Sequence, residues 1–163
     1  MNKIDVSSLF PLQEALDRRI QNEHKVTYEE TAHKRILALL VELGEFANET
    51  RCFKFWSSKG PSPKEIVLDE YADGLHFLLS LGIVLGVKEY IHEIKEPYDL
   101  TEMILDTYHK SSKLLETFDT KTYLEAFGAF LDISEAISAS PEEVIEAYHK
   151  KLGVNYKRQD TNY

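Results

Sequence analysis

The chain has one cysteine, Cys52, among its 163 residues. No intrachain disulfide can form, and the composition suits a reducing compartment, so a cytoplasmic location is expected. Basic residues are in deficit: 19 Lys and Arg stand against 28 Asp and Glu, a formal net charge of −9. That average field repels a nucleic-acid backbone, and no basic stripe offsets it, so nucleic acid is not an expected partner. A small polyanionic substrate stays compatible if metal ions and a few local cations screen it. Long apolar runs are lacking too. The greasiest stretch, Leu75 to Val87, is shorter than a membrane span, and MNKIDVSSLFPLQEALDRRI has no signal-peptide core. No membrane partner is expected. Internal repeats, low-complexity segments and strand-like alternation are absent as well.

What is present is an ordinary globular balance, 43% hydrophobic and 29% charged. The length fits one domain, 1–163, with a real core. Capping chemistry divides it. Thr27 precedes Glu30, Ser62-Pro63 precedes Glu65, Asp99 precedes Glu102, and Ser140-Pro141 precedes Glu143. In each case a side-chain oxygen can take an orphan helix N–H while the acid reaches back. Asp119 offers a further cap. The spacing predicts six helices: about Ser8 to Glu23, Tyr28 to Thr50, Pro63 to Gly86, Leu100 to Phe118, Thr120 to Ser138, and Pro141 to Leu152. The expected fold is an all-α, compact helical bundle. The second helix carries an apolar stripe of Ile36, Leu40, Leu43 and Ala47, and the third one of Leu68, Ala72, Leu75, Leu79 and Ile83. Leu75 to Val87 is apolar on most faces, so it must be central or covered by a partner. A homodimer with this region at or near the interface is expected.

Glu42 and Glu45 are three apart on one helix, and Glu70 and Asp73 repeat the spacing on the next. Each pair projects from one face. Both sit in dense apolar runs, LLVELGEF and DEYADGLHFLLSL, where four converging carboxylates would repel and lose hydration. A hard divalent cation resolves both costs. Oxygen-only ligation favours Mg²⁺, with Mn²⁺ able to substitute. The bland alternative is that the acids cap or solubilise two amphipathic helices. Glu49 is a further ligand, a water-orienting base or a surface acid. Glu30/His33, Glu89/His92 and Glu146/His149 have the Glu-x-x-His spacing of di-iron bundles, but they lie in hydrophilic segments. A helical scaffold without metal dependence is the non-enzymatic alternative.

RCFKFWS follows the first acid pair and supplies Lys54, Phe55 and Trp56. Trp56 walls a planar ligand pocket or fills core. His76, three after Asp73, faces the same cleft or is a core histidine. Gly153 can end the last helix, and around it Lys151, Asn155 and Arg158 form either a solvated tail or a phosphate-binding set. Metal plus Lys and Arg is how proteins neutralise a polyphosphate under attack.

ELGEFANETRCFKFWS, EYADGLHFLLSLGI and KKLGVNYKRQDTNY closely resemble the dimeric all-α dUTPases, within the all-α nucleoside triphosphate pyrophosphatases that include MazG-like enzymes. The likeness runs from FPLQEALDRRI to the final tyrosine. It implies Mg²⁺-dependent hydrolysis of dUTP, and of dUDP, to dUMP, with pyrophosphate released from dUTP. It implies water attack at the β-phosphorus and deoxyuridine nucleotides as the binding partners. Glu42, Glu45, Glu70 and Asp73 then correspond to the metal ligands, with Glu42 or Glu45 helping to activate water. Gln13 corresponds to the uracil reader, and Trp56 and His76 to nucleoside-pocket residues with Lys54 beside them. Lys151, Asn155 and Arg158 correspond to a phosphate-binding tail at about 151–163 that closes over substrate. Part of each pocket comes from the other subunit. One departure stands out: the family pattern is LQ..LN, and this chain has LQEALD, with Asp17 in place of asparagine. An ionised carboxylate accepts from uracil N3–H but donates to no carbonyl. A sister pyrophosphatase acting on another triphosphate such as dCTP is therefore the alternative.

Overall fold

A computed structural model describes residues 2–161 of the chain. The elements run β1 (Lys3–Asp5), α1 (Leu9–His24), α2 (Tyr28–Thr50), α3 (Lys64–Val84), β2 (Ile91–Glu93), α4 (Leu100–Ser112), α5 (Thr120–Ala136) and α6 (Pro141–Asp160). A 3₁₀ turn at Lys113–Leu115 follows α4. The helices form the expected all-α bundle.

The caps account for most helix starts. Thr27, Asp99 and Asp119 each accept the backbone N–H three residues on, and Ser140 with Glu143 makes a full capping box. Ser62 does not cap α3. Pro63 takes that position, and the Ser62 hydroxyl donates to Glu49 near the end of α2. Glu49 is thereby tied to the loop between α2 and α3.

Two features differ from the sequence expectation. A short antiparallel ribbon pairs Lys3 with Glu93, Ile4 with His92 and Asp5 with Ile91. Its strands have three residues each, too few to show a period of two. The second difference is α6, which passes Gly153 and continues to Asp160. A mid-helix glycine costs only about 1 kcal/mol relative to alanine. Here Arg19 of α1 holds the far end, with an ion pair of 2.8 Å to Asp160 and its guanidinium 5.9 Å from the Tyr156 ring centre.

α3 is the central helix. It packs on α2 most extensively, and also on α1, α5 and α6. From Tyr71 to Gly82 ten of its twelve side chains or backbone sites are buried, only Asp73 and Phe77 being partly open. The ring of Tyr71 stacks on Phe130 of α5 at 4.2 Å, and its hydroxyl donates to the Phe130 carbonyl at 2.8 Å. Tyr123 of α5 donates to the Leu78 carbonyl at 2.6 Å. Its ring lies over Gly82 in the space a Cβ would need, so α3 and α5 approach this closely only at glycine.

The first half of the apolar run is thus covered by the chain itself, with Leu75, Leu78, Leu79 and Leu81 all fully buried, whereas Ile83, Val84, Leu85 and Val87 are half-buried. The physical reason is the central position of α3, so of the two readings of this run the central one holds for Leu75 to Leu81. The exposed large apolar residues lie elsewhere. They include Leu37 and Val41 on α2, Ile66 at the start of α3, and Phe53, Phe55 and Trp56 in the loop between them. Among the described residues no helix is long and apolar enough to cross a membrane.

Candidate metal and nucleotide site

α2 and α3 lie along one another, and this places the two acid pairs on facing turns. One carboxylate oxygen each from Glu42, Glu45 and Glu70 falls within 4.8 Å of the others. A second such group joins Asp69, Glu70 and Asp73. Glu70 belongs to both, so all four acids singled out in the sequence converge. Asp69 was not singled out. Its signal was its place four residues before Asp73, on the same helical face.

The electrostatics fit a cation. Burial pushes the Glu42 carboxyl up to about 8, and Asp73, Glu45 and Glu70 add repulsion. Burial likewise pushes Glu70 up to about 7, with Asp73 and Glu45 adding to it. Asp73 is raised by burial against the opposing pull of Lys151. Glu42 Oε2 and Glu70 Oε2 are buried with no hydrogen-bond partner among the described residues. Orphaned carboxylate oxygens in a cluster of like charge form an oxygen-donor set that a hard positive centre stabilises. The residues therefore suit a hard divalent ion.

A cavity of about 370 Å³ opens from this cluster. Glu42 and Asp73 line one end of it. Its walls carry Gln13 and Asp17 from α1, Arg35 from α2, and His76 and Ser80 from α3. Asn155 and Arg158 of α6 also face it. Five of the residues marked in the sequence thus share one space with half of the acidic quartet.

His76 is buried, and its ring stacks on Tyr148 at 4.3 Å. Burial pushes its pKa down to about 3, so it is neutral at physiological pH. Neither ring nitrogen makes a well-formed hydrogen bond among the described residues. Both nitrogens are buried, and the ring interacts with the Tyr148 backbone.

The sequence did not mark Tyr28, Arg35, Ser80 or Tyr148, although they order the cavity wall. Tyr148 donates to Gln13 Oε1 at 3.0 Å, and Gln13 Nε2 donates to Asp17 Oδ1 at 3.0 Å. Tyr28 and Ser80 both donate to Asp17 Oδ2. Arg35 Nη1 lies 3.4 Å from Asp17 Oδ1 and donates to Ser80 Oγ at 2.9 Å. Three hydroxyls and one arginine spread over three helices leave no spacing signature, so only the fold reveals them.

Lys151 is buried, and its Nζ lies 2.9 Å from Asp69 and 3.2 Å from Asp73. Burial alone would lower its pKa. The bonds to Asp69 and Asp73 outweigh this and hold the ammonium above its ordinary range. In this state it serves carboxylates, whereas the sequence expectation gave it to phosphate. Arg158 bonds Asn155 Oδ1 at 3.5 Å, and both lie in the wall of a helix where a loose tail was expected. The last two tail positions, 162 and 163, lie outside the described residues.

Lys54 and Trp56 do not line the cavity. Trp56 is 63% exposed and packs edge-on against Phe55, itself 93% exposed. Neither the core role nor the pocket role foreseen for Trp56 is met within one chain.

Compared with known proteins, residues 5–163 match the family model described as dUTPase. No curated protein matches the chain.

Proposed function

The chain belongs to the all-α dUTPase family of hydrolases, and from that premise we propose that it is a Mg²⁺-dependent dUTP diphosphatase. It hydrolyses dUTP to dUMP and pyrophosphate, and dUDP to dUMP and phosphate. One observation carries the reading: a cluster of carboxylates with orphaned oxygens opens into a cavity walled by amide, hydroxyl and imidazole groups.

Glu42, Glu45, Glu70 and Asp73 would hold the metal, with Mn²⁺ able to replace Mg²⁺. When bound, the ion supplies Lewis-acid polarisation of the phosphates and screening of their charge. The chain's own groups do the rest. Gln13 reads the base edge, and neutral His76 offers a hydrogen bond to the nucleoside. Asn155 and Arg158 meet phosphate oxygens, and Lys151 joins them on leaving Asp73. A water oxygen attacks the β-phosphorus as the bond to the α-phosphate oxygen breaks. Its proton passes to Glu42 or Glu45. dUMP leaves, and pyrophosphate carries the new oxygen.

Exposed Lys54, Phe55 and Trp56 fit a homodimer in which this loop closes the cavity of the other subunit. The direct test is incubation with each nucleoside triphosphate, with and without Mg²⁺, reading pyrophosphate. Release from dUTP only with metal supports the proposal. Preferential release from dCTP would replace it with the sister activity, and no release from any nucleotide would refute it.

A further inference from the structure

Gln13, Asp17 and Gln21 sit four apart on α1, so one stripe of polar side chains faces the bundle interior, all three buried. A buried amide can point two ways, and nothing in its own shape decides between them. Gln13 meets a different kind of partner at each end. Its Nε2 donates to Asp17 Oδ1, and its Oε1 accepts from the Tyr148 hydroxyl, both at 3.0 Å.

The two partners are not equivalent. A tyrosine hydroxyl can donate or accept, so Tyr148 would satisfy either orientation of the amide. A carboxylate only accepts. Asp17 is moreover surrounded by donors: Tyr28 and Ser80 at Oδ2, and Arg35 beside Oδ1. Turning Gln13 over would set its Oε1 against Asp17 Oδ1, acceptor to acceptor, between two buried side chains. Asparagine at position 17 would impose no such rule. Its own amide could present either oxygen or NH₂ to Gln13, and the hydroxyls of Tyr28 and Ser80 could reverse to match.

Among the described residues, Gln13 keeps one N–H and one lone pair beyond its bonds to Asp17 and Tyr148. That donor–acceptor pair is the edge a ligand base would meet. Uracil presents N–H beside a carbonyl oxygen, and cytosine presents a ring nitrogen acceptor beside an amino donor. At one base position the two need opposite orientations of the same amide.

We propose that Asp17 is a positioning residue that locks the Gln13 amide in one orientation and so sets the preference for an imide base edge over an aminopyrimidine edge. This rests on the reading of Gln13 as the base-contacting residue. The carboxylate that departs from the family pattern then sharpens base choice from behind the amide, without touching the base.

The experiment compares kcat/KM for dUTP and dCTP in wild type and in Gln13→Ala, Asp17→Asn, Tyr148→Phe and Tyr28→Phe. The ratio of the two values in one sample cancels its folded fraction, so partial unfolding does not mimic the effect. Gln13→Ala should abolish the preference. Asp17→Asn should lower it by about tenfold or more, mainly through KM, because the wrong base no longer meets a mispaired amide. Tyr148→Phe should lower it less, and Tyr28→Phe should leave it in place, since Asp17 still faces Gln13. A preference that survives Gln13→Ala would overturn the base-reading role and the lock with it. A preference lost in Gln13→Ala but unchanged in Asp17→Asn would overturn the lock alone. Should Asp17→Asn not fold, the wild type decides by nuclear Overhauser contacts of the Gln13 side-chain NH₂. Contacts on the Asp17 and Ser80 side support the lock, and contacts to the Tyr148 ring overturn it.

Discussion

The Nζ of Lys151 lies 3.2 Å from Oδ1 of Asp73, so the chain carries its own cation into the acidic cluster. Lys151→Met leaves Asp69 and Asp73 facing each other with nothing between. Metal-free stability should fall by about 1–2 kcal/mol, a figure kept small by the exposure of Asp69. Mg²⁺ should then raise Tm more in the variant than in wild type. Equal Tm values without metal would show that the ion pair contributes nothing.

The acid quartet should be indispensable to turnover and dispensable to folding. Glu45→Ala and Asp73→Ala should each lower kcat by about 100-fold or more, with the helical circular dichroism spectrum retained. Glu42→Gln removes a repelling charge and should raise the metal-free Tm. Near-normal turnover in both alanine variants would dismiss the site.

The same carboxylates predict a pH dependence. Glu42 is pushed up to about 8 and Glu70 to about 7, against 4.5 in the unfolded chain. Across that window the native state binds more protons than the unfolded state. Metal-free stability should therefore fall as pH rises, and level off once both have ionised. Metal affinity should run the other way, because ligation needs the ionised forms. Melting curves across the window, in chelator and in Mg²⁺, check this: the two curves should diverge with rising pH. Parallel curves would mean that the metal meets other ligands.

The end of α6 should matter to catalysis more than to folding. Truncation after Leu152 removes Asn155 and Arg158 from the cavity wall and frees Arg19 from Asp160. The helices should persist while kcat/KM drops severely. Arg158→Lys should fall between, since a point charge replaces a planar fork. Limited proteolysis with and without a non-hydrolysable dUTP analogue and Mg²⁺ gives the complementary reading, with slower cleavage of this segment expected in the complex. Full kcat/KM in the truncated protein would eliminate the clamp.

Assembly can be tested at the exposed apolar residues of α2 and its following loop. Sedimentation at micromolar concentration should show a dimer, and Leu37→Lys should shift it towards monomer with loss of turnover. A fully active monomer would refute the assembly.

The sequence was legible where chemistry repeats at a fixed period. Glu42, Glu45, Glu70 and Asp73 declared themselves by i,i+3 spacing inside apolar runs, and Thr27, Asp99, Asp119 and Ser140 by capping. It was misleading where a local stop signal met a tertiary hold. Gly153 marked an end that Arg19, reaching across from α1, overrides. It was silent on Arg35, Ser80 and Tyr148, which reach the cavity wall through partners on other helices. It also could not tell a self-covered apolar run from one awaiting a partner, because both read alike along Leu75 to Leu81.

α3 is pinned by two tyrosine hydroxyls of opposite origin, its own Tyr71 reaching out and Tyr123 of α5 reaching in. It cannot readily slide or turn. Yet it bears both Asp73, in the acidic cluster, and Ser80, behind the amide of Gln13. Seven residues of helix separate them by about 10 Å along the axis. Under the proposed function the helix is thus a ruler, fixing how far the base at Gln13 would lie from the phosphate at the acidic cluster. A single residue inserted between them would turn Ser80 by about 100° relative to Asp73. Either end could remain intact while the two ceased to measure the same molecule.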